Sequence, residues 1–151
     1  MEEKVAIVVG SKHDLDFLEG AREILSSFGV AYDVLTLSAH RNLDATTAFA
    51  AEAESKGYGV IIACAGMAAH LPGVIAAKTL LPVIGVPLPT SDIQGMDALL
   101  AIVQMPAGVP VATMAIGRAG VKNAALLATA ILARKYPRLR QALQEYREKI
   151  K

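Results

Sequence analysis

Val60-Ile61-Ile62-Ala63-Cys64-Ala65-Gly66-Met67-Ala68-Ala69-His70-Leu71-Pro72-Gly73 passes from an unbroken apolar stretch, through a turn of small residues, into a segment with proline near its start. An apolar run without alternation reads as a strand buried on both faces, and proline is tolerated in the first turn of a helix, here expected to reach Thr79. Strand, turn and helix in that order form one unit of an open parallel sheet. His70 then stands at the carboxyl end of the strand, the edge where such sheets bind ligands, with room left around it by the glycine and alanines.

The same alternation extends in both directions. Val5 to Val9 is a β-branched run ending at Gly10-Ser11, followed by helical spacing from Asp14 to Phe28 that Gly29 closes. Tyr32 to Leu37 is the second strand, ending at Ser38-Ala39-His40-Arg41, after which Asn42 or Asp44 can cap a helix running to Lys56 with Gly57 as its stop. Downstream, Val83 to Val86 is the fourth strand and Met96 to Gln104 a helix. Val109 to Met114 is a fifth short strand, Ala119 to Lys135 an alanine-rich helix, and Pro137 to Lys151 a charged amphipathic one. Apolar strands separated by helices give an α/β fold: a single doubly wound, flavodoxin-like, three-layer domain with a mainly parallel five-stranded sheet and a C-terminal helix.

Composition narrows the function. The 151 residues are 54% hydrophobic and 19% charged with a net charge of +1, enough apolar content for a substantial core and no basic footprint for nucleic acid or an anionic membrane. No apolar stretch approaches the roughly 20 residues that span a bilayer. The lone Cys64 has no partner for a disulfide, and the N-terminus shows no apolar signal, so a cytoplasmic protein acting on a small molecule is expected. Phosphate-cradling motifs of the G-x-G-x-x-G and P-loop types are absent. The histidines and cysteine lack metal-ligand spacing, so neither cofactor nor metal is expected. Cys64 reads as packing, and Met67, Met96, Met105 and Met114 as core or interface filler.

The strand ends gather all three histidines, His13, His40 and His70, on one edge. Ser38-Ala39-His40-Arg41 combines a hydroxyl, an imidazole and a guanidinium at a helix start, where backbone N–H groups already favour an anion such as phosphate. The plainer alternative for Arg41 is a surface ion pair with Asp44 or Glu52, and for Asp14 a helix cap.

These segments together, with Gly95-Met96-Asp97-Ala98-Leu99-Leu100 and Val103-Gln104-Met105-Pro106-Ala107-Gly108-Val109-Pro110-Val111-Ala112-Thr113, resemble the N5-carboxyaminoimidazole ribonucleotide mutase family of purine biosynthesis from about Val5 to Ala133. The segment Ala68 to Gly73 resembles the mutase branch rather than the carboxylase branch. The resemblance implies an enzyme that moves a carboxylate from the exocyclic nitrogen of an aminoimidazole ribonucleotide to ring carbon 4, through carbon dioxide held in a closed pocket, without ATP, metal or organic cofactor. It implies His40 and His70 as catalytic residues, with His40 as the acid and base. It also implies that Ser11, Ser38 and Arg41, with Ala39 beside them, hold the 5′-phosphate and that Asp14 takes the ribose hydroxyls. Ala65, Gly66, Met67 and Leu71 would line the pocket for base and carbon dioxide. A homo-octamer follows from the same likeness, with residues 137–151 packing on a neighbouring subunit, and the alanine-rich helices independently suggest surfaces buried between copies. Direct carboxylation by carbon dioxide and a non-catalytic nucleotide-binding role remain as alternatives. The chain departs from the family pattern at His13, where a serine hydroxyl is usual: either His13 is a substitute phosphate contact or that contact is lost. Further departures are Asn42-Leu43 after Arg41, Cys64 and Met67 at frequent glycines, and Ala98 and Ala101 at commoner serines.

Overall fold

The computed structural model describes residues 1–151. Strands β1 (Lys4–Val9), β2 (Tyr32–Thr36), β3 (Tyr58–Gly66), β4 (Val83–Leu88) and β5 (Ala112–Thr113) form one sheet in the order β2-β1-β3-β4-β5. Every pairing is parallel. The helices are α1 (Glu19–Ser27), α2 (Leu43–Glu52), α3 (Leu71–Ala76), α4 (Met96–Val103), α5 (Arg118–Leu132) and α6 (Pro137–Lys149).

Side chains alternate across the pleat, which divides the interior into two cores. Val5, Ile7 and Val9 of β1, with Val60, Ile62 and Cys64 of β3, face a layer in which α1, α5 and α6 supply Leu25, Val121, Ala124, Ala128 and Leu139. Ala6 and Val8, with Ile61, Ala63 and Ala65, face the layer of α2, α3 and α4, which supplies Ala50, Leu71, Ile75 and Ile102. This is why β1, β3 and β4 are apolar at nearly every position: both faces are covered. The small residues of α5 permit close approach. A methyl group at Gly120 would lie 1.7 Å from the Ala115 carbonyl oxygen.

The strand order fixes the site. From β1 the chain moves outward to β2, then crosses back past β1 to β3, so the connections after β1 and β3 leave for opposite faces of the sheet. The crevice that opens between them at the carboxyl edge is the switch point of a doubly wound sheet.

Several element boundaries depart from expectation. The segment expected to be helical from Asp14 begins as a 3-10 turn over Lys12–Leu18, with Ser11 as its cap, and becomes α-helical only at Glu19. The two forms share apolar spacing over so few residues. Asn42 precedes α2 but its side chain caps nothing there; its Oδ1 accepts from the Ser38 backbone N–H at 2.5 Å instead. Helix α2 ends at Glu52 rather than Lys56, the chain then turning through Gly57 at φ +84°. Helix α3 stops at Ala76 rather than Thr79. The strand expected over Val109 to Met114 contracts to Ala112–Thr113, since Pro110 brings no N–H to a ladder. The last helix, expected to reach Lys151, ends at Lys149 and lies on its own chain through the buried Leu139 and an edge contact between Tyr146 and Phe28 at 5.8 Å.

Candidate active site

A cavity of about 540 Å³ occupies the switch point. Its walls are the loop after β1 (Gly10, Ser11, His13, Asp14), the loop after β2 (Ser38, Ala39, His40, Arg41) and the loop after β3 (Ala65 to Ala68, His70, Leu71). Thr90, after β4, completes the lining. All twelve residues put forward from the sequence therefore meet in one place. Gly10, Ala68 and Thr90 were not singled out.

One end is built to donate hydrogen bonds. The Ser38 hydroxyl oxygen accepts from the backbone N–H groups of His40 (3.3 Å) and Arg41 (3.1 Å), and the Ser11 oxygen accepts from that of His13 (3.3 Å). A hydroxyl whose oxygen is engaged in this way has its proton left to offer. Arg41 stands beside them, its guanidinium donating to the Gly10 carbonyl at 3.3 Å; the ion pair with Asp44 or Glu52 does not form, and Glu52 pairs with Lys56. Two hydroxyl donors and a planar cation make a cradle for an anion.

At the other end, His40 Nε2 and His70 Nδ1 lie 2.7 Å apart, with the rings nearly perpendicular at 79°. One of those nitrogens must carry the hydrogen and the other the lone pair, so the two rings together hold at most one positive charge in this arrangement. The contact exists because β2 and β3 flank β1, so that their loops close over its end. Nothing in the local sequence around either histidine announces it.

Asp14 forms the floor and is 7% exposed. Burial pushes its carboxyl above the ordinary range, and the Ser11 backbone and the charges of His13 and Arg41 draw it only partly back. Beneath it, Cys64 is fully buried in β3. Burial, reinforced by the Asp14 charge, pushes that thiol up to about 12, which leaves no thiolate for chemistry near neutrality.

The third loop carries the tightest backbone. A methyl group on Gly66 would fall 1.8 Å from Thr90 Oγ1 and 3.3 Å from the Leu88 carbonyl oxygen, so any side chain there would have to displace Thr90. Met67 follows at φ 54°, a left-handed conformation that L side chains rarely adopt, and is 61% exposed at the cavity mouth rather than packed as filler. Met96, half exposed on α4, is not core either.

A three-layer sheet of this order, with a histidine pair and an anion cradle at its switch point, is a small-molecule enzyme scaffold. The chain belongs to the AIR carboxylase family, whose model matches residues 4–151. It is 52% identical over 147 residues to the N5-carboxyaminoimidazole ribonucleotide mutase of Pseudomonas aeruginosa, covering 97% of this chain and 90% of that one. To the Escherichia coli K12 enzyme of the same name it is 53% identical over 145 residues, covering 96% and 86%. The crystal structure of Treponema denticola PurE superposes with a TM-score of 0.88 at 26% identity, covering 98% of this chain and 91% of that one. No helix is long and apolar enough to cross a membrane.

Proposed function

We propose that this protein is an N5-carboxyaminoimidazole ribonucleotide mutase of purine biosynthesis, and the observation that carries the reading is the His40–His70 contact opposite an anion cradle in one cavity. The reaction is a net isomerisation. As the bond between the exocyclic nitrogen and the carboxylate breaks, carbon dioxide leaves and the nitrogen takes a proton. Carbon 4 then attacks carbon dioxide and gives up its own proton. One proton out and one proton back require a group that can be acid and then base in a single cycle, and imidazole changes charge in the physiological range. His40 donates to the nitrogen and recovers the proton from carbon 4, while His70 accepts or supplies the hydrogen that fixes which His40 nitrogen is loaded.

The remaining assignments follow the same axis. Ser11, Ser38 and Arg41 hold the 5′-phosphate with Ala39 in the same loop, and Asp14 takes the ribose hydroxyls. Ala65, Gly66, Met67 and Leu71 enclose base and carbon dioxide, their apolar surface keeping out the water that would hydrate it. No cofactor is called on. Assembly into a homo-octamer belongs to this reading. It is supported by the exposed stripe Met96, Leu100 and Val103 along α4 and by Leu80, fully exposed beside an apolar groove, with the outer face of residues 137–151 meeting a neighbouring subunit. A cytoplasmic location accords with a purine enzyme whose one thiol is free and buried.

The test is ultraviolet absorbance with N5-carboxyaminoimidazole ribonucleotide and, separately, with aminoimidazole ribonucleotide plus bicarbonate. The mutase reading expects the first to turn over without ATP or metal and the second only slowly. His40→Asn should lower turnover by about 10²- to 10⁴-fold while nucleotide affinity stays within about tenfold. Faster carboxylation from bicarbonate, or near-normal turnover in the variant, refutes it. Light scattering that returns a monomer at micromolar concentration refutes the assembly.

A further inference from the structure

A second, smaller cavity of about 370 Å³ adjoins the first. It shares Gly10, Ser11, His13, Ser38 and Arg41 with the main cavity, and Arg41, reaching across to the Gly10 carbonyl, is the partition between them. Lys12, Thr36 and Asn42 complete its wall, so that no carboxylate and no apolar side chain faces this space. His13 borders both cavities, is exposed, and is held in the first turn after β1 by its backbone N–H on the Ser11 oxygen. Alkylammonium and guanidinium groups in general carry their charge near neutrality, whereas an imidazole gains and loses it there.

We infer that His13 is an affinity-setting residue of the anion cradle, adding a charged donor beside Lys12 and Arg41 when protonated and withdrawing it as pH rises. A serine in its place offers a donor of fixed strength, so the histidine converts a pH-independent contact into a graded one. The titratable and charged groups that line the two cavities with it are Lys12 and Asp14 on its own element, Arg41 from the loop after β2, and His40 and His70 across the main cavity. Of these, Asp14 and the histidine pair act in the same direction, since raising pH adds negative charge at a carboxyl and removes positive charge from an imidazole, and either change disfavours an anion. The identity of the bound group as a phosphate monoester rests on the function proposed above; the response to anions does not.

Sulfate separates the contributions, because it stays dianionic throughout, whereas a phosphate monoester gains its second charge near pH 6. Binding of sulfate and of ribose 5-phosphate would be followed by amide chemical shifts from pH 5.5 to 8.5 at constant ionic strength. A charge-assisted hydrogen bond is roughly twice as strong as a neutral one, so sulfate affinity is expected to fall about fivefold to tenfold across the range. Ribose 5-phosphate should show a maximum within it. His13→Ser should give weak, flat sulfate binding, and His13→Lys tight, flat binding. A decline that persists unchanged in His13→Ser assigns the effect to Asp14 or the histidine pair and overturns the inference, as does flat binding in the unsubstituted protein. Turnover is measured in parallel: a mutase with flat sulfate binding refutes His13 alone, and a pH-graded cradle on a protein without turnover refutes the proposed function alone.

Discussion

Asp14→Asn should make the fold more stable and the enzyme worse, and the two effects have separate physical origins. In the folded protein the carboxylate is 7% exposed, and its desolvation exceeds what the Ser11 backbone and the His13 and Arg41 charges return. Leaving a buried polar group poorly compensated costs about 1–3 kcal/mol. Because these partners offset part of that cost, removing the charge should stabilise by about 1 kcal/mol at pH 7, a rise in Tm of about 3 °C for a chain of this size. The pH dependence fixes the cause. A carboxyl whose folded-state pKa is raised binds more protons folded than unfolded, so its penalty is complete above the folded value and gone below the ordinary value of 3.8. The stability gap between variant and parent should therefore shrink as pH falls from 7 towards 4, read by thermal denaturation followed by circular dichroism. Nucleotide affinity should fall about tenfold or more, the loss of hydrogen bonds to a charged acceptor. A variant less stable at pH 7, or a gap independent of pH, would refute the desolvation account; unchanged affinity would remove Asp14 from the ribose.

Met67→Gly should stabilise by up to about 1 kcal/mol in urea titration, since glycine enters the left-handed region without penalty, whereas Met67→Val should destabilise by about as much. Gly120→Ala should cost about 3 kcal/mol or more, because the added methyl meets backbone at Ala115 rather than a side chain that can turn away; wild-type stability would disprove the packing. Cys64 should resist Ellman's reagent at pH 8 in the native protein and react once urea unfolds it; rapid native reaction would contradict its burial.

The parts of the fold legible in the sequence were those with two covered faces. Val5 to Val9 and Val60 to Ala63 could hardly be anything but central strands, and their ends named the site's loops. Less legible was whatever depended on a single hydrogen bond. Pro110 removed the ladder that would have lengthened β5, and Asn42 turned back to Ser38 instead of capping α2. In the site, residue types pointed to the chemistry, but the pairing of His40 with His70 is a product of strand order, and two histidines thirty positions apart carry no local mark of it. Thr90 belonged to the same edge yet offered only a hydroxyl. Its part emerges from the space it denies to any side chain at position 66. The strain at Met67 is equally silent, since nothing in methionine's own preferences signals a positive φ.

On the proposed function, the histidine pair also ties activity to an edge of the sheet. His40 is carried by the loop after β2, an edge strand that pairs with β1 alone and none of whose residues is fully buried. His70 follows β3, which lies between two neighbours and is buried along nearly its whole length. Edge elements detach by local opening at less free energy than the whole domain needs, so the amides of β2 should exchange with solvent well before those of β3. Each such excursion parts the two rings while most of the core stays packed. In rising denaturant, catalysis should therefore fade ahead of the spectroscopic transition, and on refolding it should return only when that edge strand docks.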